Sequence, residues 1–182
     1  MAFQDMHSQP SLAVVVEDPA RLDNPILDTF LDYWNSRRGT RPMPSRADIH
    51  PADLKTHLGW LCFIEALPGN EDFRFRLIGS RVAEYFLSEA TGLTVREAYA
   101  AAGASEEETH AVLWILRRTS AARHPMRVTG DSGDWRGRPY PDYDALYLPL
   151  SEDGTKVNMV MCGFTFNYRA YRNTRAVMTK RG

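Results

Sequence analysis

The feature that most constrains the fold of this chain is a run of four apolar residues near its end, at positions 159–162. Side chains alternate between the two faces of a β-strand, so consecutive apolar residues indicate a strand that is covered on both faces. The predicted helices that cap the sheet can cover one face. The other face requires an additional helix or a second copy of the protein.

The hydrophobic periodicity along the chain alternates between the repeat of strands and the repeat of helices. It predicts strands at residues 60–67, 73–77, 126–130, 143–150 and 157–168. It predicts helices at residues 24–38, 51–58, 80–87 and 95–101, and a long helix from Ser105 toward His124. The order after the first two helices is two strands, three helices and three strands, which indicates an α+β fold on an antiparallel sheet.

The first predicted helix has clear start signals and one apolar side. Asn24 is a favourable N-cap and Pro25 a favourable first helical residue. Apolar residues follow at helical spacing, at Leu27, Phe30, Leu31 and Trp34. We predict that this helix flanks the domain and that these four residues form a surface for homodimerisation or for a signalling partner.

Length and composition indicate one globular domain with loose ends. The chain has 182 residues, of which 43% are hydrophobic and 25% charged, and a net charge of −1 gives no overall attraction to nucleic acid or anionic membranes. We predict a flexible arm at residues 1–22 with one short strand at 12–16, a domain at 23–168, and a basic tail at 169–182. No apolar run approaches the roughly 20 residues of a bilayer span, and no signal peptide is recognisable, so we expect a cytoplasmic protein.

Cysteines and histidines give no metal or disulfide pattern. Cys62 and Cys162 both lie in apolar runs, which is typical of reduced core thiols. The five histidines have neither helical pair spacing nor short spacing to the cysteines. No metal site is predicted.

Several stretches together resemble one bacterial family. They are Tyr33-Trp34 with Arg37-Arg38-Gly39, the positions Pro44, Arg46, Pro51 and Leu54, the run from Phe73 to Ser80 with Thr91-Gly92, and residues 146–150 with Asp153-Gly154. In these stretches and in its element order the chain resembles the bacterial PAS-domain family over roughly residues 27–166. The resemblance implies a five-stranded antiparallel sheet with short capping helices, one long helix and an N-terminal flanking helix.

The resemblance also implies a function and a pocket. PAS domains are sensory or protein-interaction modules in signalling, and members of this family often lack an attached output domain and have no agreed ligand. Their pocket lies between the sheet and the short helices. Candidate pocket residues in this chain, each of which can equally be simple core, are Phe75, Leu77, Tyr85, Phe86, His110, Trp114 and Cys162.

The resemblance to PAS domains suggests two possible cofactors, haem and flavin. Haem-binding members use a histidine from the helical side, for which His110 is the candidate. Flavin photosensors of this fold need a reactive cysteine in an Asn-Cys-Arg-Phe setting, and residues 80–89 contain no cysteine. The cofactor is therefore unknown, with none expected, haem disfavoured and flavin disfavoured most.

Two other functional classes remain as alternatives. The sequence has no Gly-x-Ser-x-Gly motif, phosphate loop or dinucleotide fingerprint, so no catalytic residue is predicted. A small-molecule enzyme on a related fold would use Glu65 or Asp131 as its acid. A nucleic-acid adaptor would use the basic tail, although the net charge of −1 favours only weak, salt-sensitive contact. Residues 130–137 are interpreted as a loop.

Overall fold

The structure is a computed structural model that describes residues 14–17, 22–85, 90–130, 134–135, 138–139 and 142–167. The strands are β1 (Val14–Glu17), β2 (Leu61–Ala66), β3 (Phe73–Ile78), β4 (Met126–Gly130), β5 (Asp134–Trp135), β6 (Arg138–Pro139), β7 (Asp142–Leu150) and β8 (Met159–Asn167). The α-helices are α1 (Pro25–Arg38), α2 (Ser80–Tyr85), α3 (Val95–Ala101) and α4 (Glu106–Ala122). Short 3₁₀ helices lie at Arg46–Asp48, Pro51–Leu54, Leu58–Trp60 and Pro68–Asn70.

The main sheet is antiparallel, with the strand order β1-β4-β7-β8-β2-β3. Its last five strands in this order form the predicted five-stranded sheet, which is confirmed together with the α+β fold class. β1 adds a strand beside β4 and begins two residues later than the short strand predicted in the N-terminal arm. The division of the chain into arm, domain and tail stays a prediction, and the tail lies outside the described residues.

Helix boundaries follow the capping signals in the sequence. The Asn24 side chain accepts from Leu27 N, and α1 ends before Gly39, which has a φ of 57°. Ser105 and Glu108 form the capping box that starts α4. The predicted helix at 51–58 is instead two 3₁₀ turns, because its bonds join residues three apart, as from His57 N to the Leu54 carbonyl.

The strand β8 has both faces covered, as its apolar run predicts. Val160, Met161 and Cys162 are fully buried. α1 lies against β7 and β8 on one side of the sheet, and α4 lies against the same two strands on the other. We call the side covered by α1 the outer face and the side covered by α3 and α4 the inner face. Within the described ranges, no helix combines the length and apolar character that crossing a bilayer requires.

The apolar side of α1 packs on the outer face of its own sheet. Leu27 and Phe30 have no exposed surface, and their side chains lie where a Cβ on Gly163 of β8 would project. Trp34 Nε1 donates to the Pro149 carbonyl at 2.9 Å. The predicted partner surface of Leu27, Phe30, Leu31 and Trp34 is therefore buried within this chain, because the uncovered side of a central strand is the nearest apolar surface to α1.

Polar contacts fix α1 at its N-cap. Asn24 Nδ2 donates to Asp144 Oδ2 at 3.1 Å and to Thr165 Oγ1 at 2.7 Å, on β7 and β8. Arg127 of β4 donates to both oxygens of the same carboxylate at 2.9 Å. The chain that follows α1 is held as well, since Ser151 N donates to the Pro44 carbonyl at 2.9 Å. Both flanks of α1 are thus bonded to the sheet or its connections.

Candidate functional site

The inner face brings two thiols and a tyrosine into one row across the sheet. Cys62 of β2 is paired with Cys162 of β8, which is paired with Tyr147 of β7. Directly opposed residues in antiparallel strands point to the same face. Both cysteines are free and buried, and Tyr147 is 3% exposed. The centre of the inner face is therefore apolar but carries three groups that can form hydrogen bonds.

Two more tyrosines join this row. Tyr143 lies on the same face of β7 as Tyr147, since four residues in a strand return to the same side. Its ring lies over Gly130 of β4, where any Cβ would overlap it. Tyr99 projects from α3 into the same interior and is 7% exposed. We call Tyr99, Tyr143, Tyr147, Cys62 and Cys162 the inner cluster.

Burial keeps the inner cluster protonated. Loss of solvent raises the pKa of Cys62 and of Tyr143 to about 12, and it also raises the pKa of Tyr99, Tyr147 and Cys162 above the ordinary values of these groups. Smaller contributions come from neighbouring members of the cluster, so that Tyr99 and Tyr143 each raise the pKa of Tyr147. At neutral pH the cluster presents hydroxyl and thiol hydrogens and no charge.

Because the folded cluster keeps its protons, the fold should lose stability at alkaline pH. From about pH 9 to pH 12 the unfolded chain loses these protons while the folded chain retains them, so the free energy of unfolding falls. Below about pH 8 the contribution is complete and constant. In urea unfolding, we expect the free energy of unfolding to fall with rising pH. The slope should approach ~1.4 kcal/mol per pH unit for each cluster group once the pH exceeds the pKa of that group in the unfolded chain. Tyr143→Phe should remove the contribution of one group from this slope. A free energy of unfolding that stays constant from pH 7 to pH 11 would contradict the buried cluster.

The structure places the predicted pocket residues in different surroundings. Phe75 and Cys162 are buried on the inner face. Leu77 is the register partner of Phe63, whose ring is covered by Arg46 on the outer face, so Leu77 lies on the wrong side of the sheet. The cause is a register shift between Phe63 and Ile64, which reverses the alternation of β3. Phe86 lies outside the described residues.

The two predicted residues on α4, His110 and Trp114, are both half-buried. His110 shares a helix side with Arg117, which donates to the carbonyls of Asn70 and Glu71 in the β2–β3 connection. Trp114 is half-buried, and the exposed Arg118 guanidinium lies 5.4 Å from its ring centre. Among the described residues, the buried Nε2 of His110 has no hydrogen-bond partner. No group of three or more potential metal ligands occurs within the described ranges.

Tyr85 belongs to an aromatic group at one end of the inner face. Its ring centre lies 4.4 Å from that of Phe166, which also packs against Trp60 at 6.1 Å. Phe166 is paired with Tyr143, so this group borders the inner cluster. All three rings are half-buried. Tyr85 is therefore placed at the margin of the candidate site and not in its centre.

Of the two alternative acids that a small-molecule enzyme would use, the structure describes Glu65. Glu65 lies on β2 opposite Met159 and forms an ion pair with Arg76 at 2.8 Å. It alternates with Ile64, so it faces away from the inner cluster. Asp131 lies outside the described residues.

Comparison with known proteins identifies the family. A sequence profile described as the PAS domain matches residues 22–163. The chain belongs to the PAS domain family. Membership in this family supports a role as a sensory or interaction module. The antiparallel strand order described above agrees with the fold of this family. No curated protein sequence matches the chain.

One similar solved structure is described as "Structure of an RNA-binding Light-Oxygen-Voltage Receptor". It shares 13% sequence identity with this PAS domain at a TM-score of 0.47. The match covers 94% of this chain and 44% of that chain, so this chain spans less than half the length of the receptor.

Proposed function

We propose that this PAS domain is a cytoplasmic, non-catalytic sensory module of bacterial signalling that binds a small molecule at the inner cluster. The observation that carries the proposal is the set of three tyrosines and two thiols inside an otherwise apolar interior. Hydroxyl and thiol groups between the sheet and α3 can orient a ligand, as a few polar groups do in an otherwise apolar binding site.

The strand β8 offers a direct route from the inner cluster to α1. Cys162 and Phe164 face the inner side of this strand, and Gly163 between them faces α1. Gly163 is in close contact with Phe30, with no side chain of its own between them. A ligand that shifts β8 therefore changes the packing of α1 without an intermediate element. α1 is the segment through which we propose that the signal leaves.

The proposed partner surface follows from this arrangement. The apolar side of α1 is occupied by the sheet, so a second copy or a signalling partner would contact the opposite side, where Asp32, Asn35 and Ser36 are exposed. Such a contact would be polar and sensitive to ionic strength. We propose a homodimer or a signalling complex of this kind.

Native mass spectrometry of protein purified from bacterial cells tests the ligand directly. We expect a mass excess that denaturation removes, because a bound molecule is held only by the folded interior. Hydrogen exchange should then show stronger protection of α1 amides with ligand than without it. An empty protein together with ligand-independent exchange in α1 would contradict a sensory function.

The coupling through β8 has its own test in Gly163→Ala. The added Cβ would overlap Phe30 Cδ2 and lie 2.8 Å from Phe30 Cε2 and 3.2 Å from Leu27 Cδ2. We expect a loss of about 1–3 kcal/mol in stability, typical of overpacking, and weaker exchange protection in α1. Met161→Leu is the matched control, since it conserves volume on the same strand and should cost less than ~1.5 kcal/mol. Equal protection of α1 in both variants would rule out this route.

A further inference from the structure

We propose that Asn24 is a positioning residue for α1, whose side-chain amide ties the start of this helix to the paired strands β7 and β8, so that a displacement of these strands acts on the helix. This inference rests on the proposed role of α1 in carrying the signal, and it names the contact that transmits the movement. It follows from the hydrogen bonds of one side chain and from its position behind the inner cluster.

The Asn24 side chain bonds to the helix and to two strands at the same time. Its Oδ1 accepts from Leu27 N at 3.4 Å, which caps α1. Its Nδ2 donates to Asp144 Oδ2 at 3.1 Å and to Thr165 Oγ1 at 2.7 Å. Among serine, threonine, aspartate and asparagine, which are all favoured at an N-cap, asparagine alone combines an acceptor for the helix with two donors. The residue type at this position therefore fits a bridge as well as a cap.

The two strand residues that Asn24 joins lie directly behind the border of the inner cluster. Asp144 and Thr165 are opposed residues of β7 and β8, and so are their neighbours Tyr143 and Phe166. Adjacent residues of a strand point to opposite faces, so the first pair lies on the outer face and the second on the inner face. A displacement of β7 against β8 at the inner cluster thus changes the separation of the two groups that Asn24 holds.

The carboxylate of Asp144 is itself held in a fixed orientation. Arg127 of β4 donates to both of its oxygens at 2.9 Å, and the two side chains are only 22% and 20% exposed. Such charge-assisted, two-pronged pairs are stronger and more specific in geometry than single neutral bonds. The carboxylate also lies near the positive end of the helix dipole of α1. Asn24 is therefore bonded to a rigid part of the sheet that includes three strands.

Hydrogen exchange of the Leu27 and Asp28 amides in the full-length chain measures how firmly the start of α1 is held. Asn24→Ser keeps an oxygen for the cap but loses the amide donors to the strands, so the protection of both amides should fall about five- to twentyfold. Asn24→Asp also keeps the cap but places a second carboxylate against Asp144, and a fall of at least about fiftyfold is expected. Asn35→Asp makes the same change on the exposed side of α1 and should alter protection by less than about threefold.

A chain that carries both Asn24→Asp and Asp144→Asn tests whether the contact itself is the cause. The exchange of partners again places an amide opposite a carboxylate, within reach of Arg127, so most of the protection lost in Asn24→Asp should return. A doubly substituted chain whose amides exchange as fast as those of Asn24→Asp would overturn the bridge.

Phe164→Leu separates the transmission of movement from simple support. Phe164 is buried on the inner face and precedes Thr165 on β8, so the smaller side chain disturbs this strand from the side of the inner cluster. Exchange at Leu27, measured relative to the buried Val128 of β4, should change about three- to tenfold in the parent chain. It should change by less than about twofold when Asn24→Ser is already present. Equal changes in the two backgrounds would make Asn24 a support only and would overturn the proposal.

These measurements are independent of the test of the ligand. None of the variants requires a bound molecule, so a protein that is empty in native mass spectrometry would contradict the ligand site and leave the bridge in place. Unchanged protection of Leu27 and Asp28 in Asn24→Ser would overturn the bridge even where a ligand is found. Asn24→Ser exchanges one favourable N-cap for another, so it serves as the decisive variant if Asn24→Asp does not fold.

Discussion

Replacing Phe30 with alanine is expected to lower the free energy of unfolding by about 3–5 kcal/mol, the range for removing a fully buried aromatic ring. Phe30 has no exposed surface, and its ring lies on Gly163 with the His57 ring edge-to-face at 5.9 Å. A glycine on the strand leaves no side chain that can fill the vacated space. Urea unfolding followed by tryptophan fluorescence measures the loss, and the exchange protection of α1 should fall with it.

Asp32→Ala is the matched control for this variant, because Asp32 lies on the same helix and is exposed. A surface substitution of this kind usually changes stability by less than about 0.5 kcal/mol. If Phe30→Ala cost as little as Asp32→Ala, α1 would not be docked on the outer face in solution. The assignment of Phe30 to the core, and not to a partner surface, would then be wrong.

A second large effect is expected at Gly79, in the stretch Phe73 to Ser80 that first suggested the family. A Cβ at this position would lie 2.5 Å from the Gly59 carbonyl oxygen and 2.6 Å from its carbon, and would overlap the Leu58 carbonyl. These are backbone atoms, which cannot move as a flexible side chain can. Gly79→Ala should therefore cost about 3 kcal/mol, the upper part of the overpacking range, in the same urea titration.

Gly59→Ala tests whether backbone rigidity is the cause. The added Cβ there would lie 3.1 Å from Arg81 Cγ and 3.3 Å from Ser80 Oγ, both atoms of exposed side chains that can move. We expect a loss below about 1 kcal/mol, within the range of ordinary substitutions. Similar losses in the two glycine variants would contradict the close approach of the 3₁₀ turn at Leu58–Trp60 to the end of β3.

Local chemistry made much of this fold predictable. Asn24 with Pro25, and Ser105 with Glu108, define helix starts through side-chain bonds to nearby amides, and both starts agree with the structure. The doubly apolar run of β8 requires cover on both faces, and that cover is present. The sequence did not show what covers the outer face, because an apolar helix side packs equally well on its own sheet or on a partner.

The candidate site was less predictable, since it depends on register. Leu77 and Phe75 are two residues apart and would share a face in a regular strand, but the irregular pairing of β2 and β3 separates them. Tyr143 and Tyr147 could have been recognised as one face of β7 by their spacing alone. Tyr99 could not, because its position depends on how α3 packs over the sheet.

The contacts on either side of α1 restrict how this helix can respond. β1 precedes α1 and is paired with β4, while the chain after α1 is bonded to Ser151 between β7 and β8. The helix is thus held on both sides, and its full release would require the separation of a strand from the sheet. A displacement of β8 would act on the middle of the helix, near Leu31 and Asp32, because Phe30 lies on Gly163 there. Spectroscopic labels at that midpoint should therefore report larger movements than labels at Asn24 or Arg38.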